Sequence, residues 1–138
     1  MISAEVAVLV NRPIAEVFAH LIEFDLWPAW GGGRLESMTQ VTPGPPGPGT
    51  ELRQVFRRGA QKTETLVEIT ALVENSALAL KSRGFRARYA LESIGDGTRV
   101  GCRAEVDAHG AMALVYRLLL PRFIKTDLRK FKRLVEAL

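Results

Sequence analysis

Cysteine is almost absent from the chain. Cys102 is the only one in 138 residues, so no internal disulfide can form. Histidine is nearly as scarce, and neither His20 nor His109 belongs to a set of Cys, His, Asp or Glu at metal-ligand spacing. No metal site and no cofactor are therefore expected. The glycine run Gly31-Gly32-Gly33 follows a helical stretch and precedes a strand, the reverse of the order a phosphate-binding loop needs. Carboxylates are not paired at inward strand positions, which leaves two-carboxylate acid/base chemistry without its groups. No apolar run approaches the roughly 18–20 residues of a membrane span. The first residues lack the charged region, apolar stretch and cleavage site of a secretory signal. A cytoplasmic protein is the expectation.

What is present begins with the last stretch, Ala111 to Leu138, which reads as one long helix. Met112, Tyr116, Leu119, Phe123, Leu128, Phe131, Val135 and Leu138 recur near the helical period and form its expected apolar stripe. Arg122, Lys125, Arg129, Lys132 and Arg133 fill the opposite side. The segment holds seven Lys or Arg against Asp127 and Glu136, so it alone exceeds the net charge of +4 of the whole chain. That basic face is a candidate surface for an anionic partner, either a membrane or a ribonucleoprotein. Aromatic residues are not interleaved with it as stacking platforms, which argues against nucleic-acid binding. Pro121 falls inside the helix and is expected to bend it near Arg117–Leu118.

A long helix with one apolar stripe needs a broad surface to lie on, and the preceding residues supply strands. Ser3–Val10 is a first strand, stopped by Asn11-Arg12-Pro13, with Asn11 as a candidate helix cap. Ile14, Val17, Phe18 and Leu21 mark one face of a short helix, with Glu16 and His20 paired on the other. A second helical piece spans Glu23 to Trp30. Arg34–Thr42 is the next strand, and the Pro- and Gly-rich Thr42–Gly49 can only be a loop. Thr50–Arg58, Thr63–Leu72 and Ala77–Ser82 follow as strands. Phe85–Ile94 alternates best, with Phe85, Ala87, Tyr89 and Leu91 on one side and Arg86, Arg88 and Glu92 on the other. Gly95-Asp96-Gly97 is a hairpin turn into Thr98–Asp107. The expectation is one α+β domain over residues 1–138. It is a curved antiparallel sheet of about six to seven strands, mostly a meander, around a long C-terminal helix, with two short helices after the first strand.

Several stretches resemble the START-like, or helix-grip, superfamily, in particular its polyketide cyclase/dehydrase and lipid-transport group. Val10-Asn11-Arg12-Pro13 with Glu16-Val17-Phe18 is similar to the family's opening, and Trp27-Pro28-Ala29-Trp30 to its second short helix. Gly44–Thr50 resembles its Gly-Pro loop, Asp96–Val100 its penultimate hairpin and Leu128–Glu136 its last helical turns. The resemblance implies a hydrophobic cavity between the sheet and the N-terminal half of the long helix. Each of these motifs is structural and none is catalytic.

The candidate cavity residues are Trp27, Trp30, Gln54, Phe56, Phe85, Tyr89, Met112, Tyr116, Leu119 and Phe123. Aromatic walls bury large areas, and methionine adapts its shape. Tyr89 and Tyr116 add hydroxyls for orienting a ligand or for proton transfer, and Gln54 adds an amide that needs a partner. Cys102 reads as a small buried hydrophobe. Three functions follow: binding or transport of a hydrophobic small molecule or lipid; a polyketide cyclase/dehydratase-type enzyme; or a basic-helix interaction module.

Overall fold

The computed structural model describes residues 1–138. In chain order the elements are β1 (Ile2–Val10), α1 (Ile14–Leu21), a 3-10 turn (Phe24–Ala29), β2 (Leu35–Gln40), β3 (Glu51–Arg58), β4 (Gln61–Val73), β5 (Ala77–Ser82), β6 (Phe85–Ile94), β7 (Gly97–Val106) and α2 (Ala111–Ala137). All seven strands form one curved antiparallel sheet in the order β1-β7-β6-β5-β4-β3-β2. From β2 to β7 the sheet is a meander. β1 departs from it by pairing with β7 along its whole length, Ile2 opposite Val106 and Val10 opposite Thr98. This is the helix-grip architecture that the sequence predicts.

Alternation on the strands sorts the two faces. Leu52, Val67, Ile69, Leu78, Leu80, Ala87, Tyr89, Leu91, Val100, Cys102 and Ala104 are all buried on the side facing α2. Arg53 and Arg57 point away, toward Glu64 at 3.8 Å and Glu36 at 3.5 Å. Gly95, with φ 58°, makes the tight turn that lets Ile94 pair with Gly97. A side chain at Gly97 would lie 2.9 Å from the Val10 carbonyl, so the β1–β7 approach depends on a glycine there.

The long helix lies chiefly across β1 and reaches β7 and the 3-10 turn. Its buried residues are Leu120, Ile124, Leu128, Phe131 and Val135. The expected stripe is correct at Leu128, Phe131 and Val135, whereas Leu120 and Ile124 are buried in place of Leu119 and Phe123, and Tyr116 is half-buried as expected. Met112, Phe123 and Leu138 are more than half exposed, and Leu119 is only partly covered. The cause is an excess of apolar residues in the first four turns, which leaves two possible faces at the helical period. The helix also runs through Pro121 without interruption; the proline sits on an exposed position, where the Arg117 carbonyl that loses its donor is open to water.

A polar clasp ties the end of α2 to the β1–α1 junction. The Asn11 backbone N–H donates to Glu136 Oε2 at 2.8 Å, and Lys132 Nζ donates to the Leu9 carbonyl and to Glu136 Oε2, each at 2.7 Å. The Arg12 guanidinium donates to the Glu136 carbonyl, and Thr98 Oγ1 donates to the Arg12 carbonyl at 2.8 Å. The Asn11 N–H, followed by Lys132, holds the Glu136 carboxyl below its ordinary range. Two expectations are corrected here. Asn11 serves the clasp, while Pro13 occupies the cap position of α1. Lys132 belongs to the clasp and not to a free basic face.

The helix phase is testable by truncation. Leu120→Ala should lower unfolding stability by about 2–3 kcal/mol, whereas Leu119→Ala should cost under about 1 kcal/mol. Urea denaturation of both variants measures the difference, and equal losses would contradict the register described.

Candidate functional site

The sheet presents small side chains to the first half of α2: Ala87 on β6, with Cys102 and Ala104 on β7. Because these cannot fill the space under the helix, a hollow remains. One lobe, about 380 Å³, lies between β6, β7 and α2 and is lined by Tyr116, Leu120, Phe123, Ile124 and Leu128 on the helical side. A second lobe, about 390 Å³, lies toward β3–β5 and is walled by Trp27, Gln54, Phe56, Thr65, Val67 and Leu80. Arg83, Phe85, Ala87, Tyr89 and Asp127 line both, so the lobes meet along β6 beneath α2.

Most of the residues predicted for the cavity are brought together here. Phe85, Tyr89, Tyr116 and Phe123 border the first lobe; Trp27, Gln54, Phe56, Phe85 and Tyr89 border the second. Three are not. Trp30 is 1% exposed and packs in the core between Trp27, Tyr89 and Phe131, with ring centroids 4.5, 5.9 and 4.8 Å away. Met112 and Leu119 turn away from both lobes because the helix phase differs from the expected one. The Trp27 indole N–H donates to the Leu21 carbonyl at 2.9 Å, while the Trp30 N–H is buried without an acceptor. Gly31 packs so closely on the Trp27 ring that a Cβ there would sit 2.9 Å from it.

Polar groups in the hollow are few. Gln54 Nε2 reaches only Met38 Sδ, at 3.8 Å, a weak acceptor that leaves the amide largely free. Tyr89 stands directly opposite Cys102 across the β6–β7 ladder. Burial, followed by the neighbouring Cys102 and Asp127, raises the Tyr89 hydroxyl well above its ordinary range. Burial likewise pushes the Cys102 thiol up to about 12, so it stays protonated and unreactive.

Asp127 is the residue that sequence reasoning passes over, counted there only as one of two acids on a basic helix. It projects from the buried side of α2, between Ile124 and Leu128, to the junction of the lobes. Burial raises its pKa to about 6, against opposing pulls from Lys130 and the Gly32 backbone N–H. The signal is in the spacing: an acid three residues after Ile124 and four before Phe131 lies on the buried stripe once the phase is right. The histidines stay outside the site. His20 pairs with Glu23 at 3.1 Å rather than with Glu16, which faces Arg12 at 3.6 Å. His109, largely exposed, pairs with Asp107 at 3.0 Å.

Asp127 makes stability depend on pH. Its folded pKa of about 6 exceeds the ordinary 3.8, so the folded state holds the proton more tightly than the unfolded chain. Stability contributed by the protonated form is therefore full below about pH 4 and lost as the pH rises through 6. Asp127→Asn should raise stability by about 2 kcal/mol at pH 8, less than the whole shift because the carboxyl keeps some contact with solvent. At pH 4 the same change should be nearly neutral. Denaturant midpoints at the two pH values test this; a gain independent of pH would contradict it.

With this geometry in hand, comparison with known proteins is direct. No curated protein matches the chain in sequence. Among solved structures, Ara h 8.0201 superposes with a TM-score of 0.76 at 16% identity, covering 99% of this chain and 98% of its own. TTHA0849 from Thermus thermophilus gives 0.75 at 17% identity, covering 98% and 97%. The di-domain ARO/CYC StfQ from the steffimycin biosynthetic pathway gives 0.75 at 15% identity, covering 99% of this chain and 49% of StfQ. At these identities the likeness is one of fold. The model of the family described as polyketide cyclase / dehydrase and lipid transport matches residues 1–136, and the chain belongs to that family.

Proposed function

We propose that the chain binds and carries a hydrophobic small molecule or lipid in the two-lobed hollow, with the polar end of that molecule directed at Asp127. The observation that carries this reading is the shape and lining of the space. Two lobes, each of about 380–390 Å³, meet at a single carboxylate; the first is walled mainly by apolar and aromatic side chains, and the second mixes such side chains with Gln54, Thr65, Ser82 and Arg83. Such a space suits a ligand with an extended or flat apolar body and one hydrogen-bond donor. Gln54 and the Tyr89 hydroxyl offer further polar contacts, and Arg83 stands on the rim of both lobes. The family to which the chain belongs supports a cavity that takes hydrophobic ligands.

The test begins with the purified protein. Native mass spectrometry of the chain should reveal a co-purified small molecule, and the neutral fluorophore N-phenyl-1-naphthylamine should bind with enhanced emission. Ala87→Leu adds bulk where the lobes meet and should weaken fluorophore binding at least about tenfold while leaving thermal unfolding nearly unchanged. Unaltered affinity in that variant, with no co-purified ligand, would remove the carrier reading.

One observation favours an enzymatic second reading. Asp127 is a carboxylate that titrates near neutrality inside an apolar site, the condition for a general base, and Tyr89 is a protonated hydroxyl nearby. A cyclase or dehydratase could use this pair on a polyketide-like substrate, the substrate class in the family's description. Turnover of aromatic polyketide substrates would then rise with pH through about 6. It would disappear in Asp127→Asn while fluorophore binding persisted. Absence of turnover in the wild-type chain leaves the carrier reading alone.

A further inference from the structure

The outward side of α2 carries a second amphipathic pattern, unrelated to its packing on the sheet. Val115, Leu118, Arg122, Lys125, Arg129 and Arg133 follow one another at three- and four-residue steps and so share one face. That face turns toward solvent and is divided along its length. Its first half is apolar: Leu114 is 61% exposed, Val115 41% and Leu118 66%, with Met112 beside them at 53%. Its second half, from Arg122 to Arg133, is basic; Glu136, the next position of the series, is engaged in the clasp by the Asn11 N–H and Lys132. The other large exposed apolar residues are mostly scattered along the strands, whereas these four crowd into less than two turns.

We infer that this face docks on an anionic lipid bilayer, the apolar half entering the headgroup–acyl boundary and Arg122, Lys125, Arg129 and Arg133 lying against the headgroups. Complementarity selects the occupant. A second copy of the chain laid on the patch would cover its apolar half and leave the basic half without a counter-charge. A nucleic acid would satisfy the basic half and leave leucines against phosphate. An anionic bilayer satisfies both halves at once, because apolar burial and attraction to acidic headgroups act together on an interfacial helix. Lys132 takes no part, being held by Leu9 and Glu136.

Co-sedimentation of the full chain with vesicles tests the docking. The chain should bind phosphatidylcholine–phosphatidylglycerol vesicles and not pure phosphatidylcholine vesicles, with binding falling as salt rises. Arg122→Glu/Lys125→Glu/Arg129→Glu should weaken association by about a hundredfold. Leu114→Asp/Leu118→Asp should weaken it at least about tenfold. All five positions are exposed and outside the hollow, so thermal unfolding and N-phenyl-1-naphthylamine binding should be unaffected. That separates failure of docking from failure of the carrier reading. The inference is overturned by wild-type protein that ignores anionic vesicles, by variants that bind as well as wild type, or by a dimer in size-exclusion chromatography that Leu114→Asp/Leu118→Asp dissociates.

Discussion

The packing of α2 against the concave side of the sheet is the constraint on which the remaining structure depends, and it differs between the two halves of the helix. Toward the C-terminus, Leu128, Phe131 and Val135 are almost wholly buried, Phe131 packs at a tilt against Trp30, and the Glu136–Lys132 clasp fixes the helix end to the β1–α1 junction. Side chains of this size each contribute about 1.5–3 kcal/mol on burial, so this half holds the helix down. Toward the N-terminus, the opposing strands offer Ala87, Cys102 and Ala104, too small to meet Leu120 and Ile124 across the gap. The helix is therefore anchored at one end and bridges a hollow at the other. A rigid anchor allows the space to persist: close-packed interiors collapse on voids only where the surrounding elements can move.

The sequence is legible wherever one period dominates. Strands β5 and β6 fall on the predicted residues, the hairpin falls at Gly95-Asp96, and the inward side of β6 is right because one-residue alternation leaves no second choice of face. The long helix is less legible for a physical reason. Its first half carries apolar residues on both the sheet side and the solvent side, so Met112, Leu119 and Phe123 compete with Leu120 and Ile124, and periodicity alone cannot choose between them. Trp30 shows a different limit: its size suits a cavity wall as well as a core, and only three-dimensional neighbours reveal that it fills the space between Trp27, Tyr89 and Phe131. Local pattern finds elements. It does not locate an empty volume, which depends on side chains distant in sequence failing to meet.

Asp127 is where the usual rule about charged residues gives way. A carboxylate on the buried stripe is opposed only by Lys130 and one backbone N–H, and its raised pKa records that they compensate incompletely for lost hydration. Departures of this kind concentrate at functional sites, where a group is kept at a cost to stability because something outside the fold uses it. The neighbouring groups cannot take its place. Tyr89 and Cys102 hold their protons far above neutral pH, so of the three only Asp127 changes charge in that range.

Under the proposed carrier function, this arrangement also bears on the sign of ligand preference. Above about pH 6 the junction of the lobes is negatively charged inside a mainly apolar space, where charges interact more strongly than in water. A ligand that buries its own anion against Asp127 meets repulsion and desolvation together, whereas one that brings a hydroxyl or phenol donates a hydrogen bond to a carboxylate already stripped of much of its water. Arg83 lines both lobes as well but is exposed, so it offers a cation at the solvent side of the hollow. Under the proposed carrier function, a neutral, donor-bearing apolar molecule fits this interior better than an acid, and the charge that destabilises the empty fold would orient it.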